Sequence, residues 1–269
     1  MLDGTFIDGT RGRLFCTLRL PEAAPRRALM VVPAFGDEMN KSRRMLTETA
    51  KRLNESQIAV LIPDLFGTGD SEGAFVEAGW DAWIDDLVTV HKWALARRFE
   101  IRSLIAVRTG ALLAAQFARE CSNLNLETTV FWQPVRTGRE FVRQMLRLRT
   151  VASAVNSGSR ETVDELIRRI GSGETVLAGG YELTNALVTP LMSADLAQLV
   201  SKSLGSIHAI EVTRVEEKCG AFSEPLGDLC LSGVRHLGEP YWSSTETVCD
   251  VSVVTETAEL LGARAVASG

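Results

Sequence analysis

Apolar residues in this chain gather in short unbroken runs separated by amphipathic stretches. Ala28–Val32, Ile58–Ile62, Ser103–Val107 and Thr128–Trp132 are four such runs, each ended by turn-forming or polar residues. Unbroken runs of this kind fit strands buried on both faces. Between them, Lys41–Leu53, Trp80–Leu95 and Ala111–Ala118 repeat apolar positions at helical spacing, as Met45, Ala50 and Leu53 do in the first. Residues 4–19 read as two short strands around the turn Asp8-Gly9-Thr10-Arg11-Gly12. Strand and helix then alternate about every 25 residues, the pattern of a mostly parallel sheet with helices on both faces. From about residue 135 to 204 the buried runs stop and only helical patterns remain, which reads as an inserted helical cap. Strand patterns return at Ser206–Val212 and near Leu229–Leu237, and a last helix fits Val253–Leu261. The expected organisation is a core of residues 1–134 and 205–269 with a cap of residues 135–204.

Composition narrows the function classes. The 269 residues are 45% hydrophobic, enough to bury a core without disulfide or metal staples. A formal net charge of −5 argues against a general nucleic-acid binder. No apolar stretch reaches the roughly 18 residues of a membrane span. The polar, turn-rich start from Met1 to Arg13 does not read as a signal peptide. Cys16, Cys121, Cys219, Cys230 and Cys249 are odd in number and irregularly spaced, which excludes a fully paired disulfide set and lacks zinc-site spacing. Reduced thiols in a cytoplasmic protein are expected, and nothing calls for a cofactor or a metal.

The candidate chemistry lies where the third buried run meets a helix, at Ala106-Val107-Arg108-Thr109-Gly110-Ala111. An α/β-hydrolase turns there through a strained elbow whose central residue is the nucleophile. The turn is so tight that the residues two before and two after its centre must be small. Ala106 and Gly110 meet that demand around Arg108, whereas centring on Thr109 would put Val107 in a small-residue slot. Two flanking motifs fit the same fold. Pro33-Ala34-Phe35-Gly36 sits where an oxyanion-hole N–H is usually supplied, and Asp64 to Ser71 reads as a D-x-x-G-x-G-x-S turn.

Several stretches also resemble a known family. The run from Val31 to Met45 is similar to the exosortase A system-associated hydrolases, in particular the hydrolase 2 group. So are Arg108 to Ala114, Trp132 to Val135, Gly179 to Leu183 and Gly238 to Trp242, so the resemblance spans most of the chain. It implies the α/β-hydrolase fold, a hydrolase label, a genetic association with bacterial exopolysaccharide and protein-sorting systems, and arginine at the elbow in that group too. A label that rests on fold is weak ground for chemistry.

A serine hydrolase needs a nucleophile, a histidine base and an orienting acid. Arg108 cannot attack, because its guanidinium stays protonated. The base usually follows the last strand, where the chain reads Gly238-Glu239-Pro240-Tyr241-Trp242. His236 lies just before that stretch, while His91 and His208 fall inside a helix and a strand. Arg108 stands at a helix start, where backbone N–H groups and the helix dipole favour an anion. It either binds such a ligand beside Phe35 and Thr109 or pairs with Glu38 or Asp64. Residues 135–170 carry eight arginines and four acids, with Arg139, Arg143 and Arg147 on one helical stripe. Acids across the cap, an anionic ligand or solvent would answer that charge. Two functions stay open. One is a hydrolase or acyltransferase acting on a carbohydrate-linked or acylated substrate, with an unusual catalytic set drawn from Glu38, Asn40, Lys41, Ser71, Gln133 and Glu239. The other is a binding protein that holds a small anionic molecule, or supports a partner. The candidate ligand contacts are Phe35, Thr109, Asn40, Lys41, Arg143 and Arg147.

Overall fold

A computed structural model describes the chain except residues 23–25, 158–160, 216–225, 227–229, 247 and 268–269, and except the side chains of 152–157 and 263–267. Cys219 and Leu229 therefore lie outside the described residues.

The opening hairpin is β1 (Leu2–Asp8) and β2 (Arg13–Arg19), paired antiparallel. The unbroken apolar runs become β3 (Arg27–Val32), β4 (Ala59–Pro63), β5 (Glu100–Val107) and β6 (Thr128–Trp132). Between them run α1 (Asp37–Glu55), α2 (Trp80–Ala96) and α3 (Gly110–Glu120). After β6 come α4 (Gly138–Ser157) and α5 (Val163–Gly171), then a small hairpin of β7 (Val176–Ala178) and β8 (Tyr181–Leu183). The helices α6 (Asn185–Ser193) and α7 (Leu196–Leu199) follow. The chain closes with β9 (Ser206–Thr213), β10 (Cys230–Leu237) and α8 (Val251–Ala267).

One eight-stranded sheet runs β1-β2-β4-β3-β5-β6-β9-β10, parallel from β4 to β10. Its central strands β3 to β6 are largely apolar because both faces are covered. Along β3, Met30 and Val32 face one cluster with Leu61, Trp83, Leu112, Phe117 and Phe131. Leu29 and Val31 face the other cluster, with Met45, Leu53, Val107, Trp132 and Val253. This is the period-two alternation of a strand, with core on either side. The strand order reverses between β3 and β5, so their outgoing loops diverge and leave a crevice at the carboxyl edge.

The hairpin β7–β8 departs from the expectation of helices alone between 135 and 204. Its strands are three residues each, too short to show alternation, and Gly179 and Gly180 supply the positive φ of its turn (58° and 85°). Helix α1 also begins four residues before the expected Lys41. Asp37 and Glu38 open it, carboxylates at the end where the helix dipole favours them. That early start places Glu38 at the mouth of the crevice.

Candidate active-site cavity

Strand β5 ends at Val107 and α3 starts at Gly110, so Arg108 and Thr109 alone make the turn. Arg108 has φ 53°, in the left-handed region that costs a non-glycine residue about 1 kcal/mol or more. Its N–H donates to the Trp132 carbonyl (2.9 Å), which fixes the turn against β6. Gly110 answers a close approach: a Cβ there would lie 2.3 Å from the Val32 carbonyl oxygen and 2.7 Å from that of Pro33. Gln133, the residue leaving β6 beside Arg108, is also left-handed, at φ 42°.

The Arg108 side chain is held from three directions. Its Nε and Nη2 donate to Glu38 Oε1, both at 3.1 Å. Its Nη1 donates to the Gln133 carbonyl at 3.0 Å. The guanidinium carbon stands 4.8 Å from the centre of the Trp242 ring, a cation–π contact. Trp242 packs edge-on against the buried Tyr241, which packs in turn against Trp132. Burial pushes the Glu38 carboxyl above its ordinary range, against the opposing pull of the Arg108 charge and hydrogen bonds. Glu38 Oε2 and the Tyr241 hydroxyl are buried without a hydrogen-bond partner among the described residues.

Above Arg108 lies a cavity of about 370 Å³, between Phe35, Gly36, Glu38, Lys41 and Trp242 on one side and Phe141, Met145, Leu148 and Tyr181 on the other. Phe35 meets Phe141 edge-on at 5.4 Å, and Phe75 meets Tyr181 at 5.1 Å, so the segment after β6 closes over the carboxyl edge. Among the solved structures it resembles is Est1E from Butyrivibrio proteoclasticus with ferulic acid bound. The TM-score is 0.69 at 16% identity, over 98% of this chain and 100% of that one. The esterase domain of a Rhodothermus marinus protein gives 0.60 at 16%, over 98% of each chain. The proline iminopeptidase of Mycobacterium smegmatis gives 0.63 at 13%, over 99% and 100%. The chain has the α/β-hydrolase fold. No protein-family model matches the sequence, and no curated protein sequence matches it. At these identities the likeness speaks for the fold alone.

In α/β-hydrolase terms, arginine occupies the elbow centre and Trp242 lies on the loop that usually carries the base. No histidine or cysteine is among the described residues lining the cavity, and the serine there is Ser243. His91 is buried in α2 with its ring edge-on to Phe117, and burial lowers its pKa. His208 places Nδ1 2.7 Å from Ser232 Oγ. His236 lies within β10, opposite Val212. The four described cysteines are free.

Of the residues singled out from sequence, the structure gathers Arg108, Glu38, Phe35 and Lys41 around the cavity. Lys41 pairs with Asp37 at 2.7 Å. The others stand elsewhere. Ser71 braces a turn: its Oγ accepts from the Phe15 N–H (2.8 Å) and donates to the Asp64 carbonyl (2.6 Å). Asp64 is taken by Arg43 at 2.8 Å and the Asp70 N–H at 2.9 Å, which leaves Glu38 as the partner of Arg108. Gln133 turns its Oε1 to the Val212 N–H at 2.8 Å and ties β6 to β9. Glu239 is exposed and pairs with Arg214. Asn40 is exposed on the outer face of α1, and Thr109 is buried beneath Phe35 beside Gly110. Arg143 pairs with Asp164, Arg147 points to solvent, and Glu161 takes both Arg149 and Arg169. Acids within the same segment thus answer part of its positive charge. Sequence reasoning missed Trp242, Tyr181, Phe141 and Met145 as cavity walls. For α4 the signal was present: Phe141, Met145 and Leu148 recur at i, i+4 and i+7, beside the arginine stripe.

Proposed function

We propose that this chain is a non-hydrolytic α/β-hydrolase-fold protein that binds a small molecule in the cavity over Arg108. The observation that carries this is the elbow itself. The position that should present a nucleophile holds a guanidinium fixed by Glu38, the Gln133 carbonyl and the face of Trp242. The dispersal of Asn40, Ser71, Gln133 and Glu239 also counts against an alternative catalytic set, because groups that never meet a common atom cannot share a reaction. We read residues 135–204 as a cap over a core of 1–134 and 205–269, its use being to keep water from the bound molecule. The resemblance to the exosortase A system-associated hydrolases supports a role beside bacterial exopolysaccharide and protein-sorting systems, and the free described cysteines support a cytoplasmic setting. A fluorophosphonate label and p-nitrophenyl acetate turnover test the reading on the intact chain. No labelled residue and a background rate are expected. A labelled serine whose Ser→Ala change abolishes turnover overturns it.

A further inference from the structure

We infer that the cavity takes an amphiphile with a neutral, hydrogen-bond-accepting head and an apolar chain that leaves over Leu148, Val151 and Leu177. This rests on the reading of the cavity as a binding site and names what binds. The first observation is charge. The described cavity-lining residues bring two acids and two bases, and these pair internally, Arg108 with Glu38 at 3.1 Å and Lys41 with Asp37 at 2.7 Å. An anionic head would bring a second negative charge beside the Glu38 carboxylate, whose charge already balances Arg108, and would lose its hydration among apolar walls, a costly exchange. A cationic head would in the same way set a second positive charge beside the guanidinium. A neutral oxygen disturbs neither pair. Arg108 has donors left for it: Nη1 and Nη2 carry two hydrogens each and make one bond each among the described residues.

The second observation is the walls. Phe35, Phe141, Met145, Tyr181 and Trp242 present rings and thioether around that polar floor, and about 370 Å³ is at the small end of ligand sites. The third is the rim. Leu148 lines the cavity yet is 66% exposed, and Val151, one turn further along α4, is 64% exposed. Leu177, on β7, is 55% exposed, and its carbonyl accepts from Arg149, the neighbour of Leu148. These are the exposed large hydrophobic residues described between 135 and 204. An apolar rim continuous with an apolar cavity is the surface a protruding chain would cover.

Calorimetric titration of the intact chain with straight-chain 1-alkanols and carboxylates of matched length, at neutral pH, tests this. Alkanol affinity should rise about threefold to fourfold per added methylene, and each carboxylate should bind at least about tenfold more weakly than its alkanol. The surface variant Val151→Ser/Leu177→Ser, at two exposed rim residues outside the cavity lining, should weaken the longest alkanol about tenfold and the shortest not at all. A carboxylate that binds as tightly as its alkanol, affinity indifferent to chain length, or a rim variant that treats all lengths alike overturns the inference. A serine labelled by fluorophosphonate overturns the parent reading instead. Failure of every alkanol to bind an unlabelled protein overturns the inference alone.

Discussion

Removing either member of the Arg108–Glu38 pair should destabilise the fold, but with different pH dependence. Their side chains are only 11% and 18% exposed, so solvent screens them weakly. Breaking a buried pair typically costs 3–5 kcal/mol, and the residual exposure here argues for about 2–3 kcal/mol. The partners left behind differ. After Glu38→Met the guanidinium stays charged at any working pH, so the deficit should be flat from pH 4 to pH 8. After Arg108→Met the carboxyl loses the charge and hydrogen bonds that opposed its burial, and its pKa rises further. The folded state then holds a proton at pH values where the unfolded chain has released it. Stability from such a group is complete below the unfolded pKa and is lost as pH rises through the folded pKa. Arg108→Met should therefore be nearly neutral relative to wild type at pH 4 and about 2–3 kcal/mol worse at pH 8. The double variant should cost clearly less than the sum of the two at pH 8, because neither charge is stranded. Urea unfolding of the four proteins at both pH values measures this. Flat deficits for both single variants, or strict additivity in the double, would refute the reasoning.

Gly110→Ala should cost about 3 kcal/mol or more, since its Cβ would meet two backbone carbonyls that cannot turn aside. A thermal melt within a degree or two of wild type would show that the elbow is looser than described. Asp86 is fully buried, accepts from the Phe66 N–H, and has its pKa pushed up to about 6 by burial. Its contribution to stability is present below its unfolded pKa near 4 and is lost as pH rises through about 6. Asp86→Asn should therefore stabilise the protein by about 1–3 kcal/mol at pH 8 and change little at pH 4, read from urea midpoints. Glu161→Ala should remove the carboxylate shared by Arg149 and Arg169 and raise hydrogen exchange in α4 and α5 while leaving β3 and β5 protected. Unchanged exchange in those helices would mean that their packing, and not the ion pairs, holds them.

The sequence made the central sheet legible because β3 to β6 are buried on both faces, which leaves few polar positions, such as Ser103, Thr128 and Thr129, to blur the runs. It located the elbow by steric demand, since Ala106 and Gly110 leave one centre between them. It could not decide between Glu38 and Asp64 as the partner of Arg108. That choice depends on Arg43, on the next turn of α1, reaching Asp64 first, a contact between residues 21 apart in the chain. Ser71 and Gln133 were drawn toward the site by position. Their short hydrogen bonds to backbone, which only the fold reveals, turn them into braces. The arginines of α4 attracted attention that belonged to the neighbouring stripe, because charge is conspicuous in a sequence while a cavity wall resembles any other apolar face.

Arg108 is more than a missing serine. A left-handed backbone at a non-glycine residue is costly and persists only where its surroundings over-determine it. Here the surroundings do so from three elements: the first turn of α1 through Glu38, the exit of β6 through the Gln133 carbonyl, and the loop after β10 through Trp242. In this fold the same three regions ordinarily face a nucleophile. Their convergence on a guanidinium makes the site a substituted arrangement with its own charge balance. Arg108→Ser alone would leave Glu38 without its partner, Trp242 without its cation and the hydroxyl without a histidine among the described cavity residues. A serine nucleophile at the elbow would therefore call for changes on all three elements together, and under the proposed reading the elbow arginine is the floor of a binding cavity.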